Sequence, residues 1–359
     1  MISLGSLFSQ EPASLLGVDV SSTTLKLVEL SRAKDGSLVL ERCAMEPLER
    51  GWITEGNIEK FDEVAEVMRR LVRKSGTKTR HVALALPGSA VITKKIVLPA
   101  GLSDKELEVQ VESEATQYIP FPLADVSLDF CVIGPCANSP NDVDVLLAAS
   151  RKEKVSDRQG LAEAAGLVPV VMDVESYASR MAAGRVIESL PNKGRDLMIA
   201  LFEIGSQTTG LQVMRNEDVL YERDQMFGGL QLSQLISRQY GIPLEEADTK
   251  KKSGELPADY ESKVLGPFME SLAQEIGRAL QFFFTSTPHN KVDYILLAGG
   301  SATLMGLPEV VQAQTSFPCR VINPFDGMAV SASVQTRRLS SEATSYLVAT
   351  GLALRRFHQ

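Results

Sequence analysis

Between Leu15 and Leu30 the apolar positions form first an unbroken run and then an alternation: LLGVDV, a polar SSTT, and LKLVEL. A continuous apolar run suits a strand covered on both faces, and period-two alternation suits one covered on a single face. The polar tetrad between them predicts a tight turn, so the segment reads as a β-hairpin. LVLERCAM (38–45) follows the Asp35-Gly36 turn signal and reads as a third strand. Over 61–74 the spacing of Phe61, Val64, Ala65, Met68, Leu71 and Val72 predicts a helix, and HVALALPG (81–88) returns to a strand.

The pattern changes at residue 100. Ser103 and Glu106 make a capping box, and Leu107, Val111, Ala115 and Tyr118 form the apolar face of the helix it opens. The proline-bracketed IPFP (119–122) stops that helix. DVSLDFCVIG and DVDVLLAAS then read as two strands across a turn-rich stretch, and a helix from Lys152 ends at Gly166. Residues 100–165 therefore read as a small α-β-β-α unit inserted between two larger modules.

After a strand and helix at 167–186, LMIALFEIGSQTTGLQVM (197–214) repeats the opening pattern. A carboxylate ends an apolar strand, a short Ser/Thr/Gly turn follows, and a second strand returns. The carboxylates, Asp19 and Glu203, are 184 residues apart (203 minus 19), about half the chain. One copy is a common hairpin, whereas two copies at the starts of two halves predict a duplicated domain. Helices are expected at 229–240, 244–252 and 260–287, a strand running into a glycine turn at 292–302, and a closing helix at 345–355.

Composition narrows the picture. Among 359 residues, 44% hydrophobic and 23% charged, the balance is that of a globular chain and not a disordered one. Asp and Glu outnumber Lys and Arg by 45 to 37, which argues against non-specific nucleic-acid binding. Cys43, Cys131, Cys136 and Cys319, with His81, His289 and His358, are scattered and make no zinc pair. No apolar run of about 18 residues is present. The nine residues MISLGSLFS carry no positive flank and read as a frayed or lightly docked terminus rather than a signal peptide. A cytoplasmic protein of two or more domains is expected.

The paired hairpins carry the chemistry. Backbone N–H groups in a tight Ser/Thr/Gly turn hold phosphate without bulk, and a carboxylate at a strand end suits a magnesium ion that keeps its waters. Two such hairpins would clamp the phosphates of a nucleotide between the halves. Lys26, two residues past the first turn, either reaches the phosphates or is solvated on its strand. Gly299-Gly300-Ser301, after a strand, would let a purine or its α-phosphate approach the backbone closely. No P-loop and no strand-linked GxGxxG is present.

The order of carboxylate hairpin, strand-helix connector, second hairpin and Gly-Gly-Ser turn resembles the actin-like ATPase superfamily. GVDVSSTTLKLVEL, EATQYIPFPLADVSLDF, DVLLAASRKEKV and AGLVPVVMDVESYASRMA are similar to segments of the PilM family of type IV pilus assembly proteins, relatives of the cell-division protein FtsA. The resemblance implies an α/β fold of two duplicated actin-like (ribonuclease H-like) nucleotide-binding domains with a small α+β insertion subdomain of the FtsA type. The expected bounds are 1–99 with 166–190 for the first domain, 100–165 for the insertion and 191–359 for the second.

By the same resemblance, Asp19, Ser21, Ser22, Thr23, Thr24 and Lys26 form the first phosphate segment, and Glu203, Gly205, Ser206, Gln207 and Thr208 the second. Gly228, Gly229, Asp248 and Lys251 match the ribose stretch, and Gly299, Gly300 and Ser301 the adenosine turn. ATP or ADP with Mg²⁺ is the implied cofactor, Asp19 and Glu203 being the metal-facing carboxylates. Two departures stand out: Glu203 replaces the family's aspartate, and Asp248 its glutamate. They leave binding intact as an expectation and weaken hydrolysis, because a methylene of displacement slows chemistry strongly. Glu175 in the connector helix either orients a water, as a catalytic residue, or bridges the domains as an acceptor.

The implied function is an ATP-binding scaffold of the pilus inner-membrane platform, peripheral at the inner face of that membrane. It would bind the short cytoplasmic tail of PilN, with other platform proteins, motor ATPases and further copies of itself as possible partners, no nucleic acid, and membrane contact only through partners. The insertion, with its proline-stiffened 119–122 segment at the border of the first module, is the expected recognition module. A filament-forming FtsA-like protein is the first alternative, disfavoured because ALRRFHQ is not a basic amphipathic membrane helix. A small-molecule kinase is the second, lacking a recognisable substrate base.

Overall fold

The computed structural model describes residues 14–137, 139–216 and 218–357. The expectation for residues 1–9 lies outside the described residues, as does His358.

All five residues of β1 (Leu16–Val20) are buried, as its continuous apolar run requires. It pairs antiparallel with β2 (Thr24–Arg32), which β3 (Leu38–Pro47) flanks. A short hairpin, β4 (Ile53–Thr54) and β5 (Asn57–Ile58), leads into α1 (Phe61–Ser75). That helix buries Val64, Ala65, Met68, Leu71 and Val72, and Gly76 closes it in the left-handed conformation at φ 64°. β6 (His81–Leu86) joins β1 in parallel.

The chain then leaves for the insertion: β7 (Val91–Pro99), α2 (Asp104–Ala115), β8 (Val126–Cys136) and β9 (Ser139–Arg151). The capping box is formed, Glu106 receiving the Ser103 N–H at 2.8 Å while the Glu106 N–H donates to Ser103 Oγ. Val111 and Ala115 are buried, whereas Tyr118 lies beyond the helix and half in solvent. The strands order as β7-β9-β8 around a core of Ile96, Leu98, Val111, Ala115, Ile119, Val126, Val145, Leu147 and Ala149.

These contacts redraw the expected bounds of 100–165. β7 belongs to the insertion because Ile96 and Leu98 supply its core, so the unit begins near residue 91. α3 (Lys152–Ala164) does not belong to it: Leu161 and Ala162 pack in the first core with Leu16, Val18, Met68 and Leu71. β10 (Val168–Val174) completes the first sheet beside β6, and α4 (Glu175–Ile187) follows.

The second half runs β11 (Met198–Ile204), β12 (Thr209–Arg215), β13 (Asp218–Gln225), α5 (Gly229–Tyr240), α6 (Leu244–Ser253), α7 (Gly266–Ser286), β14 (Tyr294–Ala298), α8 (Leu307–Thr315), β15 (Cys319–Val321), β16 (Ala329–Val330), α9 (Thr336–Glu342) and α10 (Leu347–Leu354). Its sheet, β13-β12-β11-β14-β15, repeats the order β3-β2-β1-β6-β10 of the first. In each, an antiparallel hairpin is extended by parallel strands on its other side. The duplication read from two carboxylate hairpins is thus a duplication of whole sheets. The second core gathers Phe202, Leu211, Val213, Phe268, Leu272, Ile276, Leu280 and Phe283.

Two compact units result, parting between Ala178 and Ser179 inside α4 instead of at residue 190. A helix with its own buried face on either side of that point has no loop to mark a border. The outer ends of β2 and β3, Ser31–Glu41, count with the second unit, where β16 pairs in parallel with Val39 and Leu40. The chain from Leu352 returns to the first unit, where Arg355 grips Asp173 through Nε at 2.5 Å and Nη2 at 2.9 Å. The buried Arg356 donates to the Leu30 carbonyl at 2.9 Å.

Candidate functional site

In the first unit β1 delivers Asp19 to the head of a four-residue turn that Ser21 N–H closes on the Thr24 carbonyl at 3.1 Å. The hairpin register sets Lys26 directly opposite Asp19, and its Nζ donates to Asp19 Oδ2 at 2.6 Å, 3.4 Å from Ser21 Oγ. Both side chains are buried. The solvated alternative for Lys26 is therefore excluded, and its charge is already engaged by Asp19. Ser21 Oγ also contacts the Thr24 carbonyl at 2.9 Å, and the Thr23 carbonyl accepts from Leu48 N–H. Ser22 and Thr23 sit half-buried at the tip. Glu175 opens α4, half-buried, in the same unit.

The second hairpin closes in the same way, Gly205 N–H to the Thr208 carbonyl at 2.9 Å. Its register sets Gly210 opposite Glu203, the position Lys26 holds in the first. The register thus puts a glycine, not a lysine, opposite Glu203. Ser179 Oγ donates to Glu203 Oε2 at 2.6 Å, which orients the longer side chain.

Three glycines then bring together segments far apart in sequence. Gly229 N–H donates to the Gly205 carbonyl at 3.0 Å and Leu230 N–H to the Ser206 carbonyl at 2.8 Å, so the first turn of α5 lies on the hairpin. A Cβ on Gly228 would stand 2.6 Å from the Gly205 carbonyl oxygen, and one on Gly229 2.6 Å from Ser301 Oγ. Gly299, at φ 89°, passes so close to Ile204 that a Cβ would meet its carbonyl oxygen at 2.4 Å. The second phosphate turn, Gly228-Gly229 and Gly299-Gly300-Ser301 thus meet, with Gly228, Gly229 and Gly299 buried in the junction and Gly300 exposed. The first N–H groups of α5 are spent on the hairpin and on Gln231, so what the glycines supply is close backbone approach without side-chain bulk, which suits a flat base. Gln207, half-buried, and Thr208, exposed, stand at the turn itself.

Asp248 and Lys251 lie beside this group. Lys251 Nζ bonds Asp248 Oδ1 at 2.9 Å, Ser233 Oγ at 2.6 Å and the Gly229 carbonyl at 3.2 Å, and Ser233 Oγ contacts Asp248 at 2.9 Å. Burial alone would raise the Asp248 carboxyl; hydrogen bonds and charge from Lys252 and Lys251 outweigh it and hold the group well below the usual carboxylate range. Ser233 and Ser179 were not picked out in the sequence. Their signal is a serine at a helical position otherwise reserved for apolar residues, since both are buried.

Among the described residues no cluster of three or more His, Cys, Asp or Glu side chains could hold a metal directly. One carboxylate per hairpin with hydroxyls and backbone N–H groups suits magnesium arriving with its waters and a phosphate chain, not a protein cage.

A second feature stands at the root of the insertion. A cavity of about 390 Å³ opens there, lined by Ala90, Ile92, Ile119, Pro120, Phe121 and Lys154 among others. The Arg151 guanidinium stacks over the Phe121 ring at 4.0 Å. The lining is mostly apolar, Ile119, Pro120 and Phe121 of the IPFP segment among it, with Arg151 and Lys154 as its two cationic members.

The family model of the type IV pilus assembly protein PilM matches residues 17–357. Among solved structures, the PilM-PilN type IV pilus biogenesis complex is 29% identical over 96% of this chain and 99% of that one, with a TM-score of 0.78. The ethanolamine utilization protein EutJ from Carboxydothermus hydrogenoformans is 17% identical over 96% of this chain and 90% of that one, with a TM-score of 0.58, a likeness of fold. The fold is the duplicated actin-like α/β fold with its inserted subdomain.

Proposed function

Because this chain belongs to the type IV pilus assembly protein PilM family, we propose that it is a nucleotide-binding scaffold of the pilus platform that takes the cytoplasmic tail of PilN in the groove beside IPFP. The observation that carries this reading is that groove. Its mostly apolar lining, with Arg151 and Lys154, suits an extended tail that buries a few anchors and adds main-chain hydrogen bonds. A PilM-PilN complex at 29% identity supports the choice of occupant. Held by PilN, the protein would sit at the inner face of the inner membrane and pass conformational change toward the pilus motor.

Nucleotide would bind through Gly205, Ser206, Gln207, Thr208, Gly228, Gly229, Gly299, Gly300 and Ser301, with Asp248 and Lys251 at the ribose. Ser21, Ser22, Thr23 and Thr24 of the other hairpin would serve phosphate. Magnesium would neutralise phosphate charge, with Asp19 and Glu203 accepting from its waters. Glu175 would orient a water, and turnover would be slow because Ser179 holds the lengthened Glu203 carboxylate in place. Nucleotide is then a structural clamp first and a substrate second.

The test titrates a synthetic peptide of the cognate PilN cytoplasmic tail into the wild type and Phe121→Ala, with bound nucleotide read by mass spectrometry of the denatured supernatant. Tail affinity should fall at least tenfold in Phe121→Ala with nucleotide content unchanged. Equal affinity in both would overturn the groove. Deleting 100–165 is a poor test, because it would strip α3 from the first core.

A further inference from the structure

Past Lys154 the groove adjoins a smaller cavity of about 10 Å³, room for roughly one water-sized atom. The two share Ala90 and Lys154, and the small one ends on Gly56, Pro87, Asp157 and Arg158. Arg158 is 2% exposed, an unusual place for a guanidinium. Its Nη2 donates to the Gly56 carbonyl at 3.1 Å, but among the described residues its buried Nη1 meets no hydrogen-bond partner.

The side chain is not free to seek one. Gly56 lies at φ 80° and touches Pro87 so closely that a Cβ would stand 2.5 Å from the ring, which pins the carbonyl Arg158 uses. Lys154, one turn earlier on the same face of α3, donates to Asn57 Oδ1 at 2.7 Å and braces the same turn. Burial weakens the guanidinium's hold on its proton, and the charges of Glu175, Asp19 and Asp157 counter it, so the group stays a cation. A buried charged donor left unmade is expensive, more so than a neutral one.

We propose that Arg158 is a polar subsite of the groove, its Nη1 reserved for one carbonyl-type oxygen of the bound tail. The ligand class is an extended apolar segment that presents a planar oxygen acceptor, from a main-chain carbonyl, a carboxamide or a carboxylate, toward α3. The subsite rests on the groove being the tail site. It adds register: apolar anchors alone let a tail slide, whereas one buried donor accepts a single alignment.

The experiment titrates the PilN tail peptide into wild type, Arg158→Lys and Arg158→Met, with nucleotide content as the check on folding. Arg158→Met should bind the tail about 10- to 100-fold more weakly, the worth of a hydrogen bond from a charged donor, and Arg158→Lys should recover part of it. Tail peptides with each carboxylate or carboxamide residue replaced by leucine identify the source. If one replacement costs the same factor and nothing more in Arg158→Met, the acceptor is that side chain; if none does, it is a main-chain carbonyl. A folded Arg158→Met variant that binds at full strength overturns the subsite. Should that variant not fold, guanidinium nitrogen NMR of the wild type decides: an Arg158 signal unmoved by saturating tail also overturns it. Failure of the wild type to bind would instead sink the groove reading and this one with it.

Discussion

Lys26 and Asp19 form a buried pair at the head of the first hairpin, 2.6 Å apart. Removing one partner strands the other away from water, while removing both leaves a neutral site. Lys26→Met is therefore expected to lower stability by about 3–5 kcal/mol, and Lys26→Met with Asp19→Asn by clearly less. Urea unfolding of the singles and the double checks this, and additive losses would contradict it. The same pair makes Asp19→Asn, not Asp19→Ala, the right probe of magnesium-dependent nucleotide affinity. Asp248 supplies the pH prediction. Its carboxyl titrates lower folded than unfolded, so its contribution is fully present above about pH 4, the ordinary aspartate value, and is lost as pH falls through its depressed folded value. Acid unfolding of Asp248→Asn should accordingly be less steep below about pH 4 than that of the wild type. Matching acid limbs would show that the Lys251 and Lys252 contacts carry no stability.

At the scale of elements, the second site depends on close backbone approach. Gly299→Ala adds a methyl into the Ile204 carbonyl and demands φ 89° of an alanine, so the strand-turn must shift away from the hairpin. Nucleotide affinity is expected to drop more than tenfold, with the melting temperature falling by several degrees. A variant that keeps wild-type affinity would mean the Gly-Gly-Ser turn is not at the nucleotide. Such approaches are only half legible in a sequence. The strand–turn–strand pattern marked both hairpins because the polar tetrad interrupts buried runs, and the α1 and α5 bounds followed from apolar spacing. β7 escaped notice because Lys94 and Lys95 interrupt its alternation and only Ile96 and Leu98 are buried. β13 escaped because an edge strand of Glu, Arg and Asp keeps most of its side chains in water. The predicted helix at 260–287 begins as a wider π turn over Glu261–Leu265, since Pro267 cannot donate to the turn before it. Arg158 was invisible for another reason: nothing in a charged helix tells which arginine is sealed under a glycine turn.

At the scale of the molecule, neither unit is a continuous stretch of chain. The first takes Arg355 and Arg356 from the far end, where they hold Asp173 and the Leu30 carbonyl. Truncation after Gly351 should thus weaken the first unit rather than the second. Hydrogen exchange would show it as lost protection in β1, β2 and β10, and unchanged protection there would contradict the assignment.

The bond from Arg356 to Leu30 spans 326 positions. A ribosome making this chain emits β1 and β2 long before the residues that lock them. Closing so long a loop is slow, and until it closes the Leu30 carbonyl and Asp173 lack their arginine partners. Until residue 356 has emerged the first unit lacks both locks, so a nascent chain stalled before residue 352 is expected to engage chaperones, whatever nucleotide or tail is at hand.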